Sequence, residues 1–203
     1  MSTVRRKKVL LLLCKGTETH EASAFIDVLG WANSEGSTQI SVVTAATSSA
    51  PVVCTFGIRI VPDCTLADVA VSEFDALAVP GGFESFGFYE DAYSPIVQEL
   101  IRQFAQAGKP IAAICVGALP LARAGVLVGH RATTYHLGEG RRRAQLAELG
   151  ADVIDQHVVE DGQFITSSCP ATAVEVALRL LAALSNEANA QHIRYLMGYS
   201  HAV

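Results

Sequence analysis

The stretch KPIAAICVGALPLARAG, residues 109–125, passes from an apolar strand into a helix with one corner between them, and Cys115 occupies that corner. Pro110 to Ile114 contains no polar residue and has strand length, as a strand buried on both faces of a sheet does, and a helical pattern begins at Val116. So abrupt a strand-to-helix turn needs small residues two positions before and after its apex. Ala113 and Gly117 stand there. The geometry lifts the apex residue above the sheet and sets it at a helix N-terminus, where unpaired N–H groups favour thiolate over thiol. Cysteine also serves as a plain space-filler in cores. At Cys115, turn, spacing and position agree on a reactive thiol.

Outward from this corner, strand-like and helix-like segments alternate. VLLLLC (9–14) is a second fully apolar strand, followed by a helix over 21–35 with apolar residues at Ala22, Phe25, Ile26, Leu29 and Ala32, and Gly36 at its end. QISVVTA (39–45) is a strand, and VVCTFGIRIVP (52–62) reads as an edge hairpin around Phe56-Gly57. DALAVPGG (75–82) closes a strand in a Pro-Gly-Gly turn, and a helix spans 94–107 with Pro95 near its start and Gly108 after its end. Beyond the corner come a strand at 131–136, a helix at 140–149, a strand at 152–156, a hairpin over 157–168 turning at Asp161-Gly162, and a helix at 171–184. The order predicts an α/β three-layer sandwich, with a mostly parallel central sheet, helices on both faces and edge hairpins. One domain over 1–203 is expected, with residues 1–7 a flexible lead-in and 186–203 a helical tail.

In such sheets ligands bind beyond the carboxyl ends of the strands. That places Cys14-Lys15-Gly16, Pro80-Gly81-Gly82 and Cys115-Val116-Gly117 on one rim. Glu21, where the first helix begins, could lean its carboxyl over the sheet toward Cys115, although an acid in a first turn ordinarily serves its own helix end. Cys14, Cys54 and Cys64 read as structural. Cys169, in SSCPAT, lies at another strand-to-helix turn, and its role stays open.

The net charge of −5 gives no reason to expect nucleic acid, and the basic runs 5–8 and 141–143 read as solvated, with a small anionic substrate a minor alternative for the second. No apolar run reaches the roughly twenty residues of a membrane span, and residues 9–14 are too short for a signal peptide. The five cysteines are accordingly expected as thiols in the cytoplasm. No Cys/His cluster has zinc spacing, so no zinc site is expected from the residues.

AAICVGA, VPGG and KGTETHEASAFIDVL, in their order along the chain, resemble the ThiJ/PfpI superfamily, whose architecture is flavodoxin-like and shared with class I glutamine amidotransferases. The likeness is closest to the branch of the parkinsonism-associated deglycases and extends from Lys8 to about Leu184. It implies a protonated glutamate bonded to the elbow cysteine, here Glu21 with Cys115, and an oxyanion held by the N–H groups of Gly81, Gly82 and Val116. Two like charges cannot both form cheaply there, so the acid's pKa should rise and the thiol's fall. Val116 stands where the protease-like branch has histidine, which speaks against a peptidase. The branch takes a histidine from the strand after the elbow helix; here either Tyr135 occupies that place or an irregularity brings in His136.

The resemblance implies a cofactor-free glyoxalase or deglycase acting on small reactive carbonyls such as methylglyoxal, and a homodimer. The alternatives are an oxidative-stress sensor or chaperone working through oxidation of Cys115, or a related cysteine hydrolase or hydratase.

Overall fold

The computed structural model describes residues 6–199. Its strands are β1 (Lys7–Leu12), β2 (Ile40–Ala46), β3 (Val52–Val53), β4 (Arg59–Ile60), β5 (Cys64–Thr65), β6 (Ala76–Val79), β7 (Ile111–Ala113), β8 (Arg131–Ala132), β9 (Asp152–Val153), β10 (Val158–Asp161) and β11 (Phe164–Ser167). Its helices are α1 (Thr19–Glu35), α2 (Phe88–Ala92), α3 (Pro95–Gln106), α4 (Ala118–Arg123), α5 (Arg141–Glu148), α6 (Ala173–Leu184) and α7 (Glu187–Leu196).

Seven strands form the central sheet in the order β10-β11-β7-β6-β1-β2-β5, every pair parallel except β10 with β11. The three innermost strands, β7, β6 and β1, are the apolar runs, and Leu10, Leu77 and Ile111 are fully buried. Helices α1, α6 and α7 pack together as one layer, while α3 and α4 form another with α3 against β6. The α/β sandwich is therefore as expected. The Asp161-Gly162 hairpin also forms, with Gly162 at φ +60° in a two-residue loop between the paired Asp161 and Phe164.

Several elements differ from expectation. Lys7, expected in a flexible lead-in, already pairs with Ile40, and the Lys8 N–H donates to Asp75 Oδ2 at 2.9 Å. Residues 1–5 and 200–203 lie outside the described residues. The hairpin around Phe56-Gly57 forms, but β3 and β4 make a sheet of their own, and β5 is the outer strand of the main sheet. The hairpin's backbone is tied to the loop after β1 instead: Gly16 N–H donates to the Val53 carbonyl at 2.8 Å and Thr55 N–H to the Thr17 carbonyl at 2.9 Å. The strand expected over 131–136 stops at Ala132. Threonine side chains draw the chain away from the ladder there, since Thr133 N–H donates to Thr166 Oγ1 and Thr134 Oγ1 to the Cys115 carbonyl. Among the described residues, no helix is long and apolar enough to cross a membrane.

Candidate active site

The corner after β7 is the sharp turn that its sequence implies. Cys115 has φ +56°, a left-handed conformation uncommon for any residue but glycine, which holds only where its surroundings enforce it. Three hydrogen bonds do so. Ile114 N–H donates to the Val79 carbonyl at 3.1 Å, Gly117 N–H to the Ile114 carbonyl at 2.8 Å, and the buried Thr134 hydroxyl to the Cys115 carbonyl at 2.8 Å. The small residue at 117 is a matter of space, since a Cβ there would lie 2.5 Å from the Val79 carbonyl oxygen.

Glu21 sits in the first turn of α1 and is completely buried. Its carboxylate does not serve its own helix end: Oε2 accepts the N–H of Gly81, sixty residues away, at 2.6 Å. The side chain also interacts with the Cys115 thiol, while Oε1 lacks a well-directed hydrogen-bond partner. Burial raises the Glu21 pKa to about 8, against the pull of the Gly81 N–H and the thiol. At neutral pH the carboxyl is mostly protonated, as the resemblance implies, and Oε1 is the oxygen left to carry the proton.

The thiol departs from expectation. Burial pushes Cys115 up, the charge of Glu21 adds to that, and only the Val116 N–H favours the thiolate. The lowered thiol pKa expected from the turn is absent because Cys115 is only 7% exposed and its thiol faces a carboxyl group. The charge of either group opposes that of the other, so the two do not both ionise readily. When Glu21 holds the proton its charge no longer opposes the thiolate, and its O–H can donate to the sulfur.

Above the pair opens a pocket of about 410 Å³ whose lining includes Glu18, Glu21, Gly82, Phe83, Cys115, Val116, Tyr135, Arg142 and Cys169. The structure thus brings together Cys115, Glu21, Gly82, Val116 and Tyr135 of the residues that the sequence nominates. Gly81 is adjacent, but its N–H is committed to Glu21 and is not free for an oxyanion. Between the two candidates after the elbow helix, the pocket takes Tyr135; His136 lies outside the lining, its ring centroid 6.4 Å from that of His157. Cys14 and Cys54 are buried, and all five cysteines are free.

Sequence reasoning missed Glu18, Phe83 and Arg142. Arg142 belongs to the run read as solvated, yet its side chain is only 16% exposed, bonded to Glu84 at 2.7 Å and stacked 5.1 Å over the Tyr89 ring. The available signal was the alternative of an anionic substrate at 141–143. Among the described residues, no group of three or more His, Cys, Asp or Glu is arranged to hold a metal ion.

Residues 7–183 match the model of the DJ-1/PfpI family. Protein dj-1beta of Drosophila melanogaster is 34% identical over 92% of this chain and 94% of its own. Its crystal structure superposes with a TM-score of 0.83, covering 95% of this chain and 98% of that one at 32% identity. The glutathione-independent glyoxalase DJR-1.2 of Caenorhabditis elegans is 35% identical over 71% of this chain and 74% of its own. A structure of Toxoplasma gondii DJ-1, described as oxidized, is 25% identical, covers 96% of this chain and all of that one, and has a TM-score of 0.80.

Proposed function

The chain belongs to the DJ-1/PfpI family, and on that premise we propose that it is a cofactor-free, cysteine-dependent enzyme converting small α-oxo aldehydes such as methylglyoxal, free or as adducts, into hydroxy acids. The observation that carries the reading is the buried pair itself: a nucleophile at φ +56° beside a carboxyl that holds its proton to about pH 8. The C. elegans relative named as a glyoxalase supports it.

In this reading the Cys115 sulfur adds to the aldehyde carbon, and the oxygen that takes up the charge is met by the N–H groups of Val116 and Gly82. Glu21 supplies the proton to that oxygen and becomes a carboxylate. It then removes the proton from the former aldehyde carbon and returns it to the neighbouring carbon, while the hydroxyl proton passes to the neighbouring oxygen, which leaves a hydroxyacyl thioester on Cys115. Water cleaves the thioester, releasing the hydroxy acid and restoring the thiol. Arg142, the one basic side chain among the described residues of the lining, stands at hand for the acid product's carboxylate.

A second reading uses the same geometry: a protonated Glu21 can donate to the oxygens of an oxidised sulfur, which suits a peroxide sensor. Assaying lactate from methylglyoxal separates the two. Wild type should turn over, Cys115→Ser should fall to the uncatalysed background, and Glu21→Gln should lose about 10²–10⁴-fold. Equal turnover by Cys115→Ser would remove Cys115 from the chemistry. Absence of turnover in wild type, with stable oxidation of Cys115, would leave the sensor.

A further inference from the structure

Two of the chain's five cysteines line one pocket. Cys115 and Cys169 stand at the ends of adjacent parallel strands, because β7 and β11 pair with Ala113 opposite Thr166. Cys115 follows its strand's paired residue by two positions and Cys169 by three, so both lie just past the same rim of the sheet. Neighbouring strands lie about 4.8 Å apart and rise about 3.3 Å per residue, and a disulfide spans Cα separations of about 4.4–6.8 Å. Both side chains line the pocket above that rim, at the ends of neighbouring strands. Cys169 is half-buried at the pocket wall, and its sulfur accepts a hydrogen bond from the Ser168 hydroxyl at 3.6 Å. Its electrostatic influence is felt at Cys115.

We propose that Cys169 is a resolving cysteine, which captures the sulfenic acid of Cys115 as an intramolecular disulfide and so makes oxidation of the site reversible. This rests on Cys115 being the reactive thiol of the proposed function, but not on carbonyl turnover. The oxidant is a hydroperoxide. The Cys115 thiolate attacks its terminal oxygen, the S–O bond forms as the O–O bond breaks, and the alcohol, or water from hydrogen peroxide, leaves with the proton held by Glu21. The Cys169 sulfur then attacks the Cys115 sulfur: the S–S bond forms, the S–O bond breaks, and the hydroxyl leaves as water with the Cys169 proton. Two thiols lose two electrons and two protons, and the peroxide is reduced to an alcohol and water. A dithiol restores both thiols. Without Cys169, a second hydroperoxide carries Cys115 on to sulfinate, which a dithiol does not reverse. The disulfide would also stop catalysis, since it consumes the nucleophile.

The test is mass spectrometry under non-reducing conditions after treatment with a few-fold molar excess of hydrogen peroxide, enough for two oxidations per thiol, on wild type, Cys169→Ser and Cys169→Ala. The two cysteines fall on separate tryptic peptides, residues 103–123 and 144–179. In wild type most oxidised Cys115 should appear in the linked pair of these peptides, and dithiothreitol should return it to a thiol. In both variants Cys115 should instead gain two oxygens and resist dithiothreitol. Sulfinate at Cys115 in wild type, as fast as in the variants and with no linked pair, would overturn the resolving role and leave the reactive Cys115 standing. A Cys115 that neither oxidises nor reacts with iodoacetamide in any of the three proteins would overturn both readings.

Discussion

At the scale of single residues, the site is a set of buried polar atoms, each given one task. Gly81 N–H fixes one oxygen of Glu21, the other oxygen keeps a proton, and Thr134 holds the Cys115 carbonyl so that the thiol stays in its left-handed corner. Thr134→Val keeps the shape and deletes the donor, leaving a buried carbonyl without that partner. It should cost about 1–3 kcal/mol in urea unfolding. An unchanged unfolding midpoint would show that the corner is held without the hydroxyl. Cys115, Val116 and Gly117 were legible in the sequence because an elbow is a local pattern of small residues around an apex. Arg142 was not, because its burial depends on Glu84 and Tyr89, residues more than fifty positions away that no local pattern links to it. The lowered thiol pKa was misjudged for a related reason: the turn alone favours a thiolate, while burial and a facing carboxyl, both tertiary facts, outweigh it.

At the scale of elements, the long apolar runs, the helices with clear ends and the hairpin around Phe56-Gly57 were readable, and the outer strand β5 was not. Ser94-Pro95 and the glycine at 108 bound α3 as expected, with Pro95 as its first residue. Within α1 the face is turned slightly from the one expected: Val28 is fully buried, whereas Ile26 is 39% exposed. The expected strand over 131–136 failed because side-chain hydrogen bonds from threonines compete with a ladder, and β propensity does not register that competition. The elbow depends on β6 and α4 meeting at backbone distance through Gly117. Gly117→Ala puts a methyl group 2.5 Å from a carbonyl oxygen, and the strand or the helix has to move. The melting temperature should fall by roughly 3–10 °C. A variant as stable as wild type would mean that the turn has slack which the packing does not suggest.

For the whole molecule, one carboxyl buried at the sheet's rim ties stability to pH. Folded Glu21 keeps its proton to about pH 8, while the unfolded chain releases it near 4.5. Between those values the native state binds more protons, so this group's contribution falls as pH rises, by at most about 1.4 kcal/mol per unit, and levels off above 8. Glu21→Gln has no proton to lose. Urea melts of both proteins at pH 5 and pH 8 should therefore show wild type losing ground to the variant by a few kcal/mol at the higher pH, and a constant difference would mean that Glu21 titrates normally. The same titration, read at the sulfur, tests the pairing of Cys115 with Glu21 most directly: the rate of iodoacetamide labelling at Cys115, followed peptide by peptide from pH 6 to 10 in wild type and Glu21→Gln. A wild-type profile that flattens near pH 8, where a carboxylate charge arises beside the thiol, and a Glu21→Gln profile without that break are the results expected of two charges that oppose each other. Superimposable profiles would contradict it.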